Sequence, residues 1–255
     1  MKKIRYMGLD LAWAPRNSSG GAVMEPTDDG GVRLVSTAHL RTHEDVLAWI
    51  ARNRGRHQAI MAVNAPIIVE NGSGRRPCDD LLAQHFARYQ IDDHQVNIVS
   101  AGHPRTMGRA MMRMGFDPDP QAESDRVVET FTQPAQVLLC NLDRPVKLKH
   151  GPIGARKEAA ATYRLLLTQN LAVARPSLES SPALRGLIEP DLGDLNGTRL
   201  GELEDKLEAV LCAYIAAYLD LRGPEDCAFL GDLYEGYVLL PTSAGGTPVP
   251  QEPVA

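Results

Sequence analysis

The sequence predicts an α/β fold on a mixed sheet, an antiparallel three-strand meander plus parallel strands, flanked by helices and carrying helical insertions. Three observations predict it. Three strand-like runs near the start are joined by short turns, strand and helix signals then mix without a strict βαβ repeat, and the chain closes on strong helical periodicity. The 255 residues are 44% hydrophobic and 23% charged, the composition of a globular protein. A chain this long buries about 70–75% of its unfolded surface without disulfides or metals as staples. Residues 1–241 read as one domain. Residues 242–255 (TSAGGTPVPQEPVA) are rich in Pro and Gly, have little to bury, and read as a disordered tail.

Residues 4–13 (IRYMGLDLAW) are apolar on both faces, the pattern of a central strand. The turn NSSGG leads into GAVMEP, and Asp29-Gly30 turns the chain into GVRLVSTAHL. Thr42 is placed to cap a helix over HEDVLAWIARNR, whose Val46, Leu47 and Ile50 share a face. HQAIMAVNAPI is a near-continuous apolar strand ending at Asn64 and closed by Pro66. A long loop, IVENGSGRRP, precedes an amphipathic helix over CDDLLAQHFARYQI. VNIVSA has the composition of a strand, PRTMGRAMMRMGF that of a helix filled out with Met, and RVVETFTQPA that of a strand holding Glu129. ARKEAAATYRLLLTQNL and GELEDKLEAVLCAYIAAYLDLR are helices, the second stopped by Gly223-Pro224, and a short strand over 236–240 ends the fold.

The formal charge of −5 and a pI near 5.8 exclude a generally basic nucleic-acid coat, so any such contact uses a local patch. An aromatic content of 5% argues against an extended base-stacking platform. The cysteines at 78, 140, 212 and 227 form no C-x-x-C pair and read as free thiols of a reducing cytoplasm. The start is basic, but its apolar stretch is short and holds Asp10, unlike a signal peptide. The longest apolar run, residues 209–219, falls short of the roughly 18 residues of a membrane span. A soluble, cytoplasmic protein with no membrane partner is the expectation.

The last helix is apolar around most of its circumference, so it belongs between layers. Projected at about 100° per residue, Asp205 and Glu208 share a stripe with Ala209, Cys212 and Ala216. Their i, i+3 spacing points the two carboxylates together, and the small residues let that stripe approach a neighbour closely. Acids in the first turns of a helix also simply favour its dipole, so the spacing leaves both readings open. Asp10 lies inside an apolar strand, where a carboxylate must be paired, hydrogen-bonded or bound to a metal. Glu129, between Val128 and Thr130, falls under the same rule. If the meander and the last helix pack together, these acids converge, and hard divalent cations take such oxygen clusters. Two such ions together promote displacement at a phosphodiester.

Seven pieces in order, GLDLAWAPRNSSGGAV, AVNAPI, RRPCDD, ETFTQPA, the KHGP stretch with its following Arg, EDKLEAVLCAY and GDLYEGYVLLP, resemble the domain of unknown function 429. That family is described as predicted nucleases with a ribonuclease-H-like fold. The resemblance spans about residues 4–241. It implies a ribonuclease-H-like sheet and metal-binding acids on the first strand, the fourth strand and the last helix, with Mg²⁺ or Mn²⁺ as cofactor. The first-strand acid matches Asp10. The last-helix pair, usually two aspartates, matches Asp205 and Glu208, and the acid before Thr-Phe-Thr-Gln-Pro matches Glu129. The fourth-strand position departs: where the family usually reads Ile-Asp-Ala-Pro, this chain reads Val63-Asn64-Ala65-Pro66. Asn64 keeps one carbonyl ligand, loses the charge and cannot act as a base. Lys147, Lys149 and Arg156 match basic positions that the resemblance places near the site.

Other features weigh less. Arg105, Arg109 and Arg113 recur at i, i+4 and i+8, a helical stripe suited to a phosphate backbone or to solvent alone. Residues 71–76 (NGSGRR) suit an anion-binding nest or a plain loop but lack the Lys-Ser/Thr ending of a P-loop. No G-x-G-x-x-G opens a helix after a strand, and no serine sits in G-x-S-x-G. His85 reads as a core or boundary residue. The expectation is a metal-dependent nuclease. Asp10, Glu129, Asp205 and Glu208 would be catalytic, with Asp10, Asn64, Asp205 and Glu208 on a Mg²⁺ or Mn²⁺ pair. Arg105, Arg109, Lys147, Lys149 and Arg156 would bind the phosphates of a nucleic-acid partner. The alternative is a non-catalytic ribonuclease-H-like module that binds nucleic acid or a protein, its chemistry switched off at Asn64. ATP-dependent phosphoryl transfer to a small molecule is a third.

Overall fold

The computed structural model describes residues 4–242. β1 (Ile4–Asp10), β2 (Ser19–Pro26) and β3 (Val32–Leu40) form the meander. They are followed by α1 (His43–Arg54), β4 (Gln58–Asn64), α2 (Pro77–Phe86), α3 (Gly102–Arg113), β5 (Arg126–Thr130), α4 (Thr132–Cys140) and α5 (Ile153–Leu165). Then come α6 (Leu171–Val173), β6 (Leu178–Glu179), α7 (Pro182–Ile188), α8 (Gly197–Arg222), β7 (Cys227–Asp232) and β8 (Gly236–Pro241). Six strands make one sheet in the order β5-β4-β1-β2-β3-β6. β2 runs antiparallel to β1 and β3, β4 is parallel to β1 and β5, and β6 is parallel to β3. A meander extended beyond β1 by two parallel strands is the ribonuclease-H-like arrangement. β7 and β8 form a separate hairpin, tied to the main sheet where Thr130 Oγ1 donates to the Leu239 carbonyl at 2.9 Å.

What positions the site is the seating of α8 on β1 and β2. Strand side chains alternate between faces, so Tyr6, Gly8 and Asp10 all look toward α8. Tyr6 Oη donates to Asp220 Oδ2 at 2.9 Å. At Gly8 there is no side chain: a Cβ there would lie 2.0 Å from the Ala209 carbonyl oxygen and 2.2 Å from Ala213 N. At Gly20, the register partner of Asp10, a Cβ would lie 2.0 Å from the Asp205 carbonyl oxygen. Sheet backbone and helix backbone therefore touch directly, which is what the small-residue stripe on the helix permits. On the opposite face Gly21 makes room for the Trp49 indole of α1 in the same way. Asn196 caps α8 by accepting from Arg199 N, and Gly223, at φ 89°, ends it. Thr42 caps α1 in a full capping box with Asp45.

Several elements depart from their sequence pattern. The first strand stops at Asp10 instead of reaching Trp13. Residues 96–101 form turns in place of a strand, because the Asn97 side-chain oxygen accepts from the N–H groups of Val99 and Ser100 at 3.0 and 3.1 Å. Such local closure competes with ladder bonding. The strand through Glu129 ends at Thr130, and Thr132, Gln133 and Pro134 open α4. Proline fits there because the first-turn N–H groups have no helical partner. The short elements α7, β6 and β7 carry too few residues for a periodicity to declare itself. Of the residues read as a tail, Thr242 N donates to the Asp226 carbonyl at 2.9 Å, and 243–255 lie outside the described residues. Among the described residues no helix is long and apolar enough to cross a membrane, and all four cysteines are free thiols.

Gly8→Ala tests the backbone contact. The added methyl must push α8 off the sheet, and the unfolding free energy is expected to fall by about 3 kcal/mol, the upper end of ordinary overpacking penalties. A urea midpoint equal to that of the parent would show that the helix is not held there.

Candidate functional site

Asp10 ends β1, Asn64 ends β4, and Asp205 and Glu208 stand one turn apart on α8. The fold brings the three carboxylates together around a single ammonium, that of Lys149. Lys149 Nζ donates to Asp10 Oδ2 at 2.6 Å and lies 2.8 Å from Asp205 Oδ1 and 3.7 Å from Glu208 Oε2. The remaining oxygens are also taken. Asn64 Nδ2 donates to Asp10 Oδ1 at 3.0 Å, Ser18 Oγ to Asp205 Oδ2 at 2.8 Å, and Thr132 Oγ1 to Glu208 Oε1 at 3.0 Å. Asn64 Oδ1 in turn accepts from Thr132 N at 3.2 Å. These two contacts fix the sense of the amide, since a reversed Asn64 would face oxygen to carboxylate and NH₂ to N–H. The Asn64 carbonyl is thus held by Thr132, and the NH₂ group faces Asp10.

Lys149 reaches the acids from a loop in which its own backbone adopts φ 66°, a conformation that costs a side-chain-bearing residue energy. Glu204, fully buried on α8, holds it there: its Oε1 accepts from Lys149 N at 3.2 Å and from Arg156 Nε at 3.0 Å. Arg156 therefore braces the lysine loop through Glu204. About 40% of the Lys149 side-chain surface stays in solvent, although its ammonium is engaged by Asp10 and Asp205.

Three acids against one ammonium leave the cluster short of positive charge. Burial, then the charge of Asp10, pushes the Glu208 carboxyl up to about 8. Burial also raises Asp205, against the pull of Lys149. Burial alone would lower the Lys149 ammonium, but Asp10, Glu208 and Asp205 together hold it well above its ordinary value. The buried Tyr163 hydroxyl, raised by burial and by the Glu208 charge, has no hydrogen-bond partner among the described residues.

Glu129 lines the same cleft but is spent on Arg76. The Arg76 guanidinium, 2% exposed, donates to Glu129 Oε1 and Oε2 at 2.6 and 2.9 Å, to Asp79 Oδ1 at 2.8 Å and to the Ile68 carbonyl at 2.9 Å. Burial raises Glu129 despite that partner. This buried group links the loop before α2 to β5, and a buried pair of this kind is strongly destabilising to break. The other basic candidates also have acid partners. Arg105 and Arg109 both reach Glu70, at 2.9 Å each, away from the cleft, and Lys147 pairs with Asp92 at 2.7 Å. Arg75 bridges Asp80 and Asp93 at 2.7 and 2.5 Å, so both guanidiniums of the 71–76 loop are already paired with acids. Ser18, Thr132, Glu204 and the arginine partners carry no sequence signal of their own. Thr132 in particular is hidden by the strand-like run that precedes it.

The acids form the floor of an open cleft of about 1000 Å³. The carboxylates are hard-oxygen donors of the kind that Mg²⁺ and Mn²⁺ take, usually one or two at a time with water, and their shortage of positive charge favours such an ion. Among the described residues no three acid, His or Cys side chains stand in metal-holding geometry. Asp10 and Asp205 close on the ammonium, while Glu208 is drawn aside by Thr132. The donor chemistry fits a divalent cation, while in this structure the Lys149 ammonium stands between Asp10 and Asp205. The protein is an α/β protein with a ribonuclease-H-like sheet and a carboxylate cluster where the end of β1 meets the body of α8. The family model described as protein of unknown function (DUF429) matches residues 8–232, and the chain belongs to that family. No curated protein and no solved structure matches it.

The raised Glu208 carboxyl has a consequence for stability. Unfolded, it ionises near its ordinary 4.5, and folded near 8, so between those values the native state holds the extra proton and stability falls as pH rises. In chelator-treated protein, Glu208→Gln removes this slope. Urea titrations are expected to show the parent losing stability relative to the variant from about pH 5 to about pH 8, and parallel curves would contradict the assignment.

Proposed function

We propose that the cleft is the active site of a divalent-cation-dependent phosphodiester hydrolase. The observation that carries this reading is the convergence of Asp10, Asp205 and Glu208 on one cation position at the floor of an open cleft. Mg²⁺ or Mn²⁺ bound there would activate water and offset charge on the leaving oxygen. Asp10 and Asp205 would be its main ligands, with Glu208 beside them. Asn64 adds no charge; its NH₂ group holds Asp10 Oδ1, which would leave Oδ2 as the oxygen for an ion. Lys149 competes for the position and must swing outward along its solvent-exposed stem. Once displaced, it is a tethered cation at the rim for the substrate phosphate. Ser18 and Thr132 hold the outer oxygens of Asp205 and Glu208, so the ligands are oriented before the cation arrives. With free thiols throughout, we place this activity in the cytoplasm.

One arrangement favours a second reading, a non-catalytic module. An amide at position 64 and an internal ammonium, with Ser18 and Thr132, leave every carboxylate oxygen of the cluster but Glu208 Oε2 hydrogen-bonded without a metal.

Cleavage of dinucleotides and RNA with Mn²⁺ is the expected outcome, abolished by Asp10→Asn. Lys149→Met is expected to lower the Mn²⁺ concentration for half-maximal rate by about tenfold, which is roughly 1.4 kcal/mol of removed competition. A silent parent that gains Mn²⁺-dependent cleavage on Asn64→Asp would replace the first reading by the second. Absence of both cleavage and Mn²⁺ binding in the parent, Lys149→Met and Asn64→Asp would remove the hydrolase altogether.

A further inference from the structure

The wall of the cleft beside the acids is aromatic. Trp13 follows Asp10 by three residues, within about 10 Å along an extended chain. Phe131 immediately precedes Thr132, whose hydroxyl holds Glu208. His94 lies over both rings, with centroids 5.2 Å from Trp13 and 6.1 Å from Phe131 and tilts of 47° and 48°. All three line the acid cleft. Trp13 rests on a small apolar cluster of Val69, Val96 and Ala101, Phe131 packs against the main core, and His94 is exposed. The shelf is therefore backed by two rings seated on apolar clusters, with the third exposed. Arg16 lines the same cleft and is exposed, with no ion pair among the described residues.

The charge of the lining limits what can lie there. Carboxylates outnumber Lys and Arg along the cleft, nine to five, and Arg75, Arg76, Lys149 and Arg156 already pair with acids. Affinity for a duplex comes chiefly from cations that neutralise its many phosphates, and this surface offers few. Unpaired bases bind instead by stacking on aromatic faces, about 1–3 kcal/mol for each base.

We propose that the substrate is an unpaired nucleotide, its base stacked on the Trp13–His94–Phe131 shelf, its phosphate between Arg16 and the carboxylate cluster. This inference rests on the hydrolase reading for the phosphate but on the shelf alone for the base. A small nucleotide diester and the free end of a single strand share this chemistry.

Binding without turnover tests it. Adenosine, AMP, a short oligothymidylate and a duplex of the same length are titrated in chelator, following tryptophan emission and heat. Trp49 is only 5% exposed, so Trp13 is the reporter. Quenching by the three unpaired ligands is expected, with the duplex bound at least about tenfold more weakly. His94→Ala, a change at an exposed residue, is expected to weaken AMP binding about tenfold. Trp13→Phe is expected to erase the quench while keeping the heat signal, because it retains an aromatic face. Affinity that rises with strand length assigns a strand end, and affinity that does not assigns a small nucleotide diester; both support the shelf. No quench and no heat with any unpaired ligand, duplex bound as tightly as single strand, or an indifferent His94→Ala would overturn it. Stacking without Mn²⁺-dependent cleavage would remove the hydrolase and leave the shelf; cleavage without stacking would do the reverse.

Discussion

Three carboxylates can share one small volume only if positive charge stands among them. Two like charges about 4 Å apart repel by about 4 kcal/mol at an effective protein dielectric near 20, and here a third carboxyl stands beside two carboxylates. Lys149 meets that constraint, and its surroundings are explained by the need to keep it there. Glu204 holds its backbone in a left-handed conformation, Arg156 neutralises Glu204, and Asn64, Ser18 and Thr132 take the oxygens that the ammonium does not reach. One ammonium still under-neutralises the cluster, which is why burial can push Glu208 so far up. The proposed hydrolase follows from that shortage: a doubly charged ion satisfies the same oxygens better than a lysine does.

The fold supplies the geometry by leaving side chains out. Gly8 and Gly20 let α8 lie directly on the sheet backbone, so the position of Asp205 and Glu208 relative to Asp10 is set by main-chain contact and not by rotamers. Site precision of this kind comes from rigid elements. The opposite wall is built differently, from loop residues and helix starts. Trp13 just beyond β1, Phe131 just before α4 and His94 in the loop after α2 come from three irregular segments that line the same cleft.

Much of this was legible in the sequence, for reasons that can be located. The meander showed itself through short turns between apolar runs. α8 did so through its length and Gly-Pro stop. Asp10, Asp205 and Glu208 stood out because a carboxylate in an apolar strand, and two at helical spacing, need explanation. What the sequence could not disclose was which charge answers which. Lys149 lies 139 residues from Asp10, Arg76 lies 53 from Glu129 and Arg105 lies 35 from Glu70, and no periodicity links such partners. The arginine stripe at 105 and 109 was real as a helical stripe, yet the acid it faces comes from another loop. Likewise Trp13, His94 and Phe131 come from three segments, and an aromatic content of 5% gives no hint that three of the rings meet.

The central claim, that the acids define a single cation position which Lys149 holds in the absence of metal, is tested most directly by anomalous diffraction from crystals soaked in Mn²⁺. The account predicts a Mn²⁺ peak in contact with Asp10 and Asp205, with the Lys149 side chain displaced toward solvent. Lys149 still seated between the carboxylates at saturating Mn²⁺, with no peak beside it, would contradict the account.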